Sequence, residues 1–247
     1  IYLAKGALAT TAIEGNTLSE DEAIKRVEGK LDLPPSREYL GREIDNIVEA
    51  ANLIFRRLVE GEDSRISFQQ IVGFNAQVLR DLTLAEGITA GAIRVHEVGV
   101  GRYHGPRHQD CEDLLRRTVD WLNDDLTFQA PSGQEIAFAI IKAVVAHLYI
   151  AWIHPFGDGN GRTARLIEFQ ILAATGVPLP AAHLLSDHYN RTRTDYYRQL
   201  DASSKDRDGV LRFLMYAVHG FLDSLREQLD LVRRQQMDVT WRNYVHE

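Results

Sequence analysis

Twelve consecutive residues, His154-Pro155-Phe156-Gly157-Asp158-Gly159-Asn160-Gly161-Arg162-Thr163-Ala164-Arg165, hold an imidazole, a carboxylate, a glycine-lined turn and two guanidinium groups. Gly159 and Gly161 permit backbone angles that other residues resist, so successive N–H groups can converge on one point. Where a helix begins at such a turn, those amides and the helix dipole form an anion site suited to phosphate. Arg162 and Arg165 share a helical face and can both reach phosphate oxygens. Asp158 is a hard oxygen ligand of the kind Mg²⁺ accepts beside phosphates and water. His154 is the candidate base. Its place near a helix C-terminus favours the imidazolium and the two arginines disfavour it, so the sequence leaves the direction of its pKa shift open. A His-Pro pair alone explains only a helix stop, and Asp-Gly-Asn-Gly alone only a turn. A calcium loop lacks the later acids at the right spacing. The set together is equipment for chemistry on a polyphosphate.

The elements that must position this run read as nearly all helix. Apolar stretches flank it, Ile136 to Ile153 before and Leu166 to Ala174 after. The second should begin at Gly161 and stop at Gly176, and the first should open after Pro131-Ser132. Ser19 with Glu22 forms a capping-box pattern, and Ser67 with Gln70 marks another helix start. Pro34-Pro35-Ser36 precede a long helical pattern through Ile44, Ile47, Ala51, Ile54 and Leu58. His108 to Leu122 is helical by period, as are Arg191 to Ala202 and Asp208 to Gln235. One segment differs: Gly91 to Gly101 alternates and is rich in glycine and β-branched residues, so it reads as a β-hairpin or extended flap, or else as an irregular loop over the core. An exposed strand edge there could pair with a peptide.

Bulk properties exclude several classes. The chain has 247 residues, 45% hydrophobic and 26% charged, with net charge −7. Such values suit a globular protein and argue against generic nucleic-acid binding. One cysteine, Cys111, excludes an internal disulfide framework and suits a reducing, cytoplasmic compartment. Neither a membrane span nor a signal peptide is visible. The start at Ile1, without methionine, leads us to expect a piece of a longer protein.

The run matches the Fic motif HxFx(D/E)GNGRxxR at every defined position, and the chain from about Leu3 to Leu225 resembles the Fic fold: mainly α, a helical bundle with a short β-hairpin flap. The resemblance implies transfer of AMP from ATP onto a Ser, Thr or Tyr hydroxyl of a target protein. It assigns the proton transfer to His154, Mg²⁺ to Asp158, the phosphate cradle to Gly159-Asn160-Gly161, the bridging charge to Arg162 and the γ-phosphate to Arg165. Thr163 and Ala164 lie within the same nucleotide-binding run. Phe156 anchors the loop, Val98-Gly99-Val100-Gly101 form the flap that docks the target and borders the nucleotide, and Tyr196-Tyr197 line the adenosine pocket. Where relatives often carry an asparagine, this chain has Ser204, which leaves base preference open.

Thr10-Thr11-Ala12-Ile13-Glu14-Gly15 resembles the family's inhibitory pattern (S/T)xxxE(G/N), with Thr10, Glu14 and Gly15 at its defined positions. The resemblance implies that Glu14 pairs with Arg165 and keeps the γ-phosphate from settling. In some relatives this glutamate also positions water that removes AMP, so removal is the alternative activity. A non-catalytic ATP-sensing regulator is the alternative from another class, and kinase activity is disfavoured by the intact GNGR and final arginine. Self-association is a further partner reading, as a switch for an autoinhibited enzyme. His96, His104 and His108 are interrupted by Pro106 and make a poor zinc set. His147 reads as a core histidine, Arg191, Arg193 and Arg198 as a solvated face, and Cys111 as a buried small hydrophobe. The expected organisation is an N-terminal helical region carrying the inhibitory motif (1–60), a catalytic core with flap (61–225) and a C-terminal helical extension (226–247).

Overall fold

The structure, a computed structural model, describes residues 1–100, 103–206 and 208–246. In chain order the helices are α1 (Tyr2–Ile13), α2 (Glu20–Val27), α3 (Glu38–Val59) and α4 (Phe68–Val78). The strands β1 (Gly99–Val100) and β2 (Tyr103–His104) come next. After a 3₁₀ turn at His108–Asp110 follow α5 (Cys111–Leu122), α6 (Glu135–Ile153), α7 (Asn160–Ala174), α8 (Leu179–Ala182), α9 (Leu184–Arg191), α10 (Arg193–Ser203) and α11 (Gly209–His246).

Local chemistry sets the boundaries. Ser19 and Glu22 form the reciprocal capping box that opens α2, and the Ser67 hydroxyl accepts the Gln70 N–H at the start of α4. On α3 the buried positions Leu40, Ile44, Ile47, Ala51 and Ile54 recur along one face. Helix α6 is apolar nearly all round, as a helix buried on several sides should be. By length and composition it could cross a membrane, but it packs against α5, α7 and α11. It meets α7 more extensively than any other pair of elements meets, and α1 wedges between α3 and α9. One hydrophobic cluster runs from Ile13 on α1 through Ile44, Ile71, Leu115, Leu148 and Ile167 to Phe213 on α11.

Five expectations shift. The hairpin is shorter and lies further along the chain: Gly99 pairs with His104 and Val100 with Tyr103, antiparallel. The Gly105 N–H donates to the Val98 carbonyl at 3.3 Å beside it, but Ile93 and Arg94 pair elsewhere, Ile93 bridging to Phe156 and the Arg94 N–H donating to the Pro155 carbonyl. Gly101 lies outside the described residues. Helix α7 begins at Asn160, with Gly159 at φ 76° as its N-cap. Helix α6 starts at Glu135 rather than directly after Pro131-Ser132, and a helix not foreseen, α9, ends where one was expected to begin. Finally, α11 continues past Gln235 to His246 without a break.

Candidate active site

Between α6 and α7 the chain turns sharply. His154 caps α6 in the left-handed region, φ 47° and ψ 57°, directly ahead of Pro155. Phe156 is fully buried and pins the loop to the core. Asn160 spends both ends of its amide on that residue, accepting the Phe156 N–H at 3.0 Å and donating to its carbonyl at 2.9 Å. The loop is thus closed like a clasp. Asn75 of α4 holds it from below, donating to the Asp158 carbonyl at 2.8 Å and accepting the Gly91 N–H at 2.9 Å. A Cβ at Gly159 would approach Asn75 Nδ2 to 3.0 Å and Leu79 to 3.2 Å, so sterics as well as φ require glycine there.

This turn delivers the first residues of α7 to a cavity of about 550 Å³. His154, Asn160 and Gly161 line it together with Trp152, Tyr196, Tyr197 and Leu200. Gly159 offers no side-chain cap, which leaves N–H groups of the first turn for a ligand. Tyr196 is buried, its hydroxyl 2.9 Å from His147 Nε2, while Tyr197 is partly exposed and donates to the Ile13 carbonyl at 3.3 Å.

Both arginines are buried, and both are engaged by carboxylates. Arg165 Nη2 lies 2.5 Å from Glu14 Oε1 and 3.0 Å from the Thr10 carbonyl. Arg162 pairs with Glu43 at 3.0 Å and with Asp158 at 3.1 Å. Nevertheless Nε of Arg162, and Nε and Nη1 of Arg165, are buried with no hydrogen-bond partner among the described residues. Glu14 itself lines the cavity, and a Cβ on Gly161 would come within 2.4 Å of its carboxylate. Burial pushes the Glu14 carboxyl up, but Arg165, with help from Arg162 and Arg193, outweighs it and holds the group below its usual value. Burial also lowers the His154 pKa, and the Arg94 charge adds to this against the Ala151 backbone, Glu14 and Asp158. The direction that the sequence left open is downward.

Residues 65–172 match the Fic/DOC family model. The chain carries a Fic/DOC-family domain. It is 32% identical over 198 residues to a protein of Caenorhabditis elegans named protein adenylyltransferase fic-1, covering 79% of this chain and 35% of that protein. A Nematostella vectensis protein named protein adenylyltransferase Fic is 30% identical over 216 residues, 87% of this chain and 47% of that one. The chain therefore spans between about a third and half the length of these relatives. Among solved structures, a Fic family protein from Desulfovibrio desulfuricans G20 superimposes with a TM-score of 0.76 at 23% identity, over 93% of this chain and 65% of that one. Residues 134–508 of C. elegans Fic-1 give 0.68 at 27% identity, over 94% and 64%. The helical fold with its short hairpin is thus a Fic fold.

Within this Fic site the sequence-derived residues divide. His154, Gly159, Asn160, Gly161, Tyr196, Tyr197 and Glu14 gather at or beside the cavity, whereas Asp158, Arg162 and Arg165 stand behind its lining. Thr163 and Ala164 are fully buried and face away from it. Val98 and Gly99 lie outside the lining too, and the hairpin reaches the cavity instead through Tyr103, which donates to the Trp152 carbonyl at 2.6 Å. Ser204 is exposed and bonds the Asp201 carbonyl of its own helix at 3.1 Å. Gly15, at φ 105°, ends α1 beside Glu14. Arg198, read as surface, lines the cavity, and His147 is a fully buried core histidine as expected. Glu43, Asn75, Arg94 and Trp152 carried no sequence signal beyond being polar or aromatic residues at helical or loop positions. Each has a partner far along the chain, Arg162 for Glu43, Asp158 for Asn75, His154 for Arg94 and Ser203 for Trp152.

Proposed function

We propose that the protein is an adenylyltransferase that moves AMP from ATP onto a serine, threonine or tyrosine hydroxyl of a target protein, and that Glu14 holds it back. The observation that carries the reading is the meeting of His154, the first turn of α7 and the Tyr196-Tyr197 pair around one cavity. A target hydroxyl entering beside His154 gives its proton to the imidazole, and its oxygen attacks the α-phosphorus. The bond from that phosphorus to the oxygen bridging to the β-phosphate breaks, and pyrophosphate leaves. General-base assistance of this kind is worth about 10²–10⁴ in rate. Positioning and charge stabilisation supply much of the rest, and the α7 N-terminus with its arginines suits that work. The unpartnered N–H groups of Arg162 and Arg165 support an anionic ligand.

Asp158 fits Mg²⁺. Its side chain is 47% exposed, and Oδ1 alone receives Arg162 and the Gly159 N–H. No cluster of three or more metal-binding side chains occurs among the described residues, which suits an ion held by one carboxylate, phosphates and water. Bound there, Mg²⁺ would neutralise phosphate charge.

Inhibition follows from competition. Glu14 and the γ-phosphate both need Arg165, and the carboxylate already has it. Incubating Glu14→Gly protein with magnesium and α-labelled ATP should label the protein or an added partner, and adding His154→Ala should erase that label. Label arriving from the γ position instead would indicate a kinase, and tight ATP binding without any transfer would indicate a regulator. Because Glu14 shares the cavity with His154, removal of AMP is the second reading. An adenylated protein losing AMP to the wild type but not to Glu14→Gly would establish it.

A further inference from the structure

We propose that Arg94 is a positioning residue for the reaction: it fixes the backbone of His154 and both ends of the hairpin to one another, so that base and target-docking strand keep a common register. The inference rests on the adenylyltransferase reading above.

The side chain of Arg94 is fully buried, and its nearest carboxylate, Glu97, stands 3.7 Å away. A buried guanidinium is costly unless its N–H groups are satisfied. Here backbone carbonyls satisfy it. Nε donates to His154 at 2.8 Å, Nη1 to His96 at 2.7 Å and Nη2 to Pro106 at 2.5 Å. His96 precedes β1 and Pro106 follows β2, so the two terminal nitrogens grip the hairpin where it leaves and where it returns. The third grip falls on the residue that does the chemistry. The Arg94 N–H also donates to Pro155 at 2.9 Å, and Ile93 bridges to Phe156, which extends the seam along the catalytic loop.

His154 needs such a hold. A non-glycine residue at φ 47° ahead of a proline is in a sparsely populated conformation, and such residues persist only where their surroundings over-determine them. Turning the His154 peptide back toward an ordinary angle would break its bond to Arg94 and swing the imidazole. Arg94 does not line the cavity, so it acts through the histidine and the hairpin rather than on ATP. Lysine cannot replace it: a single ammonium lacks the planar fork that spans three separated carbonyls.

The test uses the full chain in the Glu14→Gly background. Arg94→Lys should lower kcat for AMP transfer by about 10²-fold, the scale of a small misplacement of a reacting group, while the Kd for ATP by calorimetry stays within about twofold. Arg94→Gln should in addition raise the titration midpoint of the His154 ring by NMR, since a cation is lost while Glu14-independent neighbours Asp158 and the Ala151 carbonyl remain. If Arg94→Lys fails to fold, Gly105→Ala serves, because its Cβ would sit 3.2 Å from Arg94 Nη2 and press on the clamp. Lysine retaining kcat within twofold, or ATP affinity falling in step with kcat, would overturn the proposal. Absence of transfer with Arg94 intact would instead sink the adenylyltransferase reading, and His154 backbone NMR shifts left unmoved by Arg94→Lys would still overturn the role of Arg94.

Discussion

His154 is held as a neutral imidazole by burial first and by the Arg94 charge second. Neutral is the form that accepts a proton. Since the folded-state pKa lies below the usual 6.5, activity of Glu14→Gly should persist as pH falls past 6.5 and decline only below it. A profile of kcat/KM whose acid limb sits above 6.5 would contradict this. The Glu14 carboxyl also titrates low, so it stays charged on Arg165 at neutral pH. Replacing it with glutamine keeps the shape and removes the charge. Glu14→Gln should therefore transfer AMP at a rate between those of the wild type and Glu14→Gly, as read by labelled ATP.

At the scale of elements, the position of Glu14 depends on how α1 is seated. Gly6 faces the ring of His183, and a Cβ there would come within 2.3 Å of it. Gly6→Ala should cost about 1–3 kcal/mol in a denaturant titration, the usual range for overpacking, and should raise transfer activity as α1 shifts. What could be read from the sequence depended on whether a signal was local. Caps at Ser19 and Ser67 were legible because partner and residue lie three apart. The catalytic turn was legible because its chemistry is contiguous. The hairpin was mislocated because alternation reveals an extended chain but not its partner: Ile93 and Arg94 pair with the loop at 155–156 instead of with β2. Helix α9 was missed for a related reason. Its buried Leu184, Leu185 and Tyr189 continue a core whose other walls, α1 and α11, lie at opposite ends of the chain.

For the whole molecule, one core joins α1 to α11, so the helix that leads to Glu14 should not melt on its own. Calorimetry should give a single transition, and a separate low-temperature event for α1 would refute that. Acid should weaken this fold through His183, which is buried against Phe169 and pushed down to about 4. The unfolded chain binds that proton near 6.5, so stability should fall as pH drops from 6.5 toward 4 and then level off with respect to this residue. His183→Phe should flatten that part of a plot of Tm against pH. The arginines with their resident carboxylates also bear on ligand discovery. Glu14 already holds Arg165 beside the cavity, whereas Trp152, Tyr197 and Leu200 give the same cavity an aromatic and apolar lining suited to a heterocycle. A fragment screen on the wild type should therefore enrich uncharged ring systems, and polyphosphate mimics should emerge as hits only against Glu14→Gly.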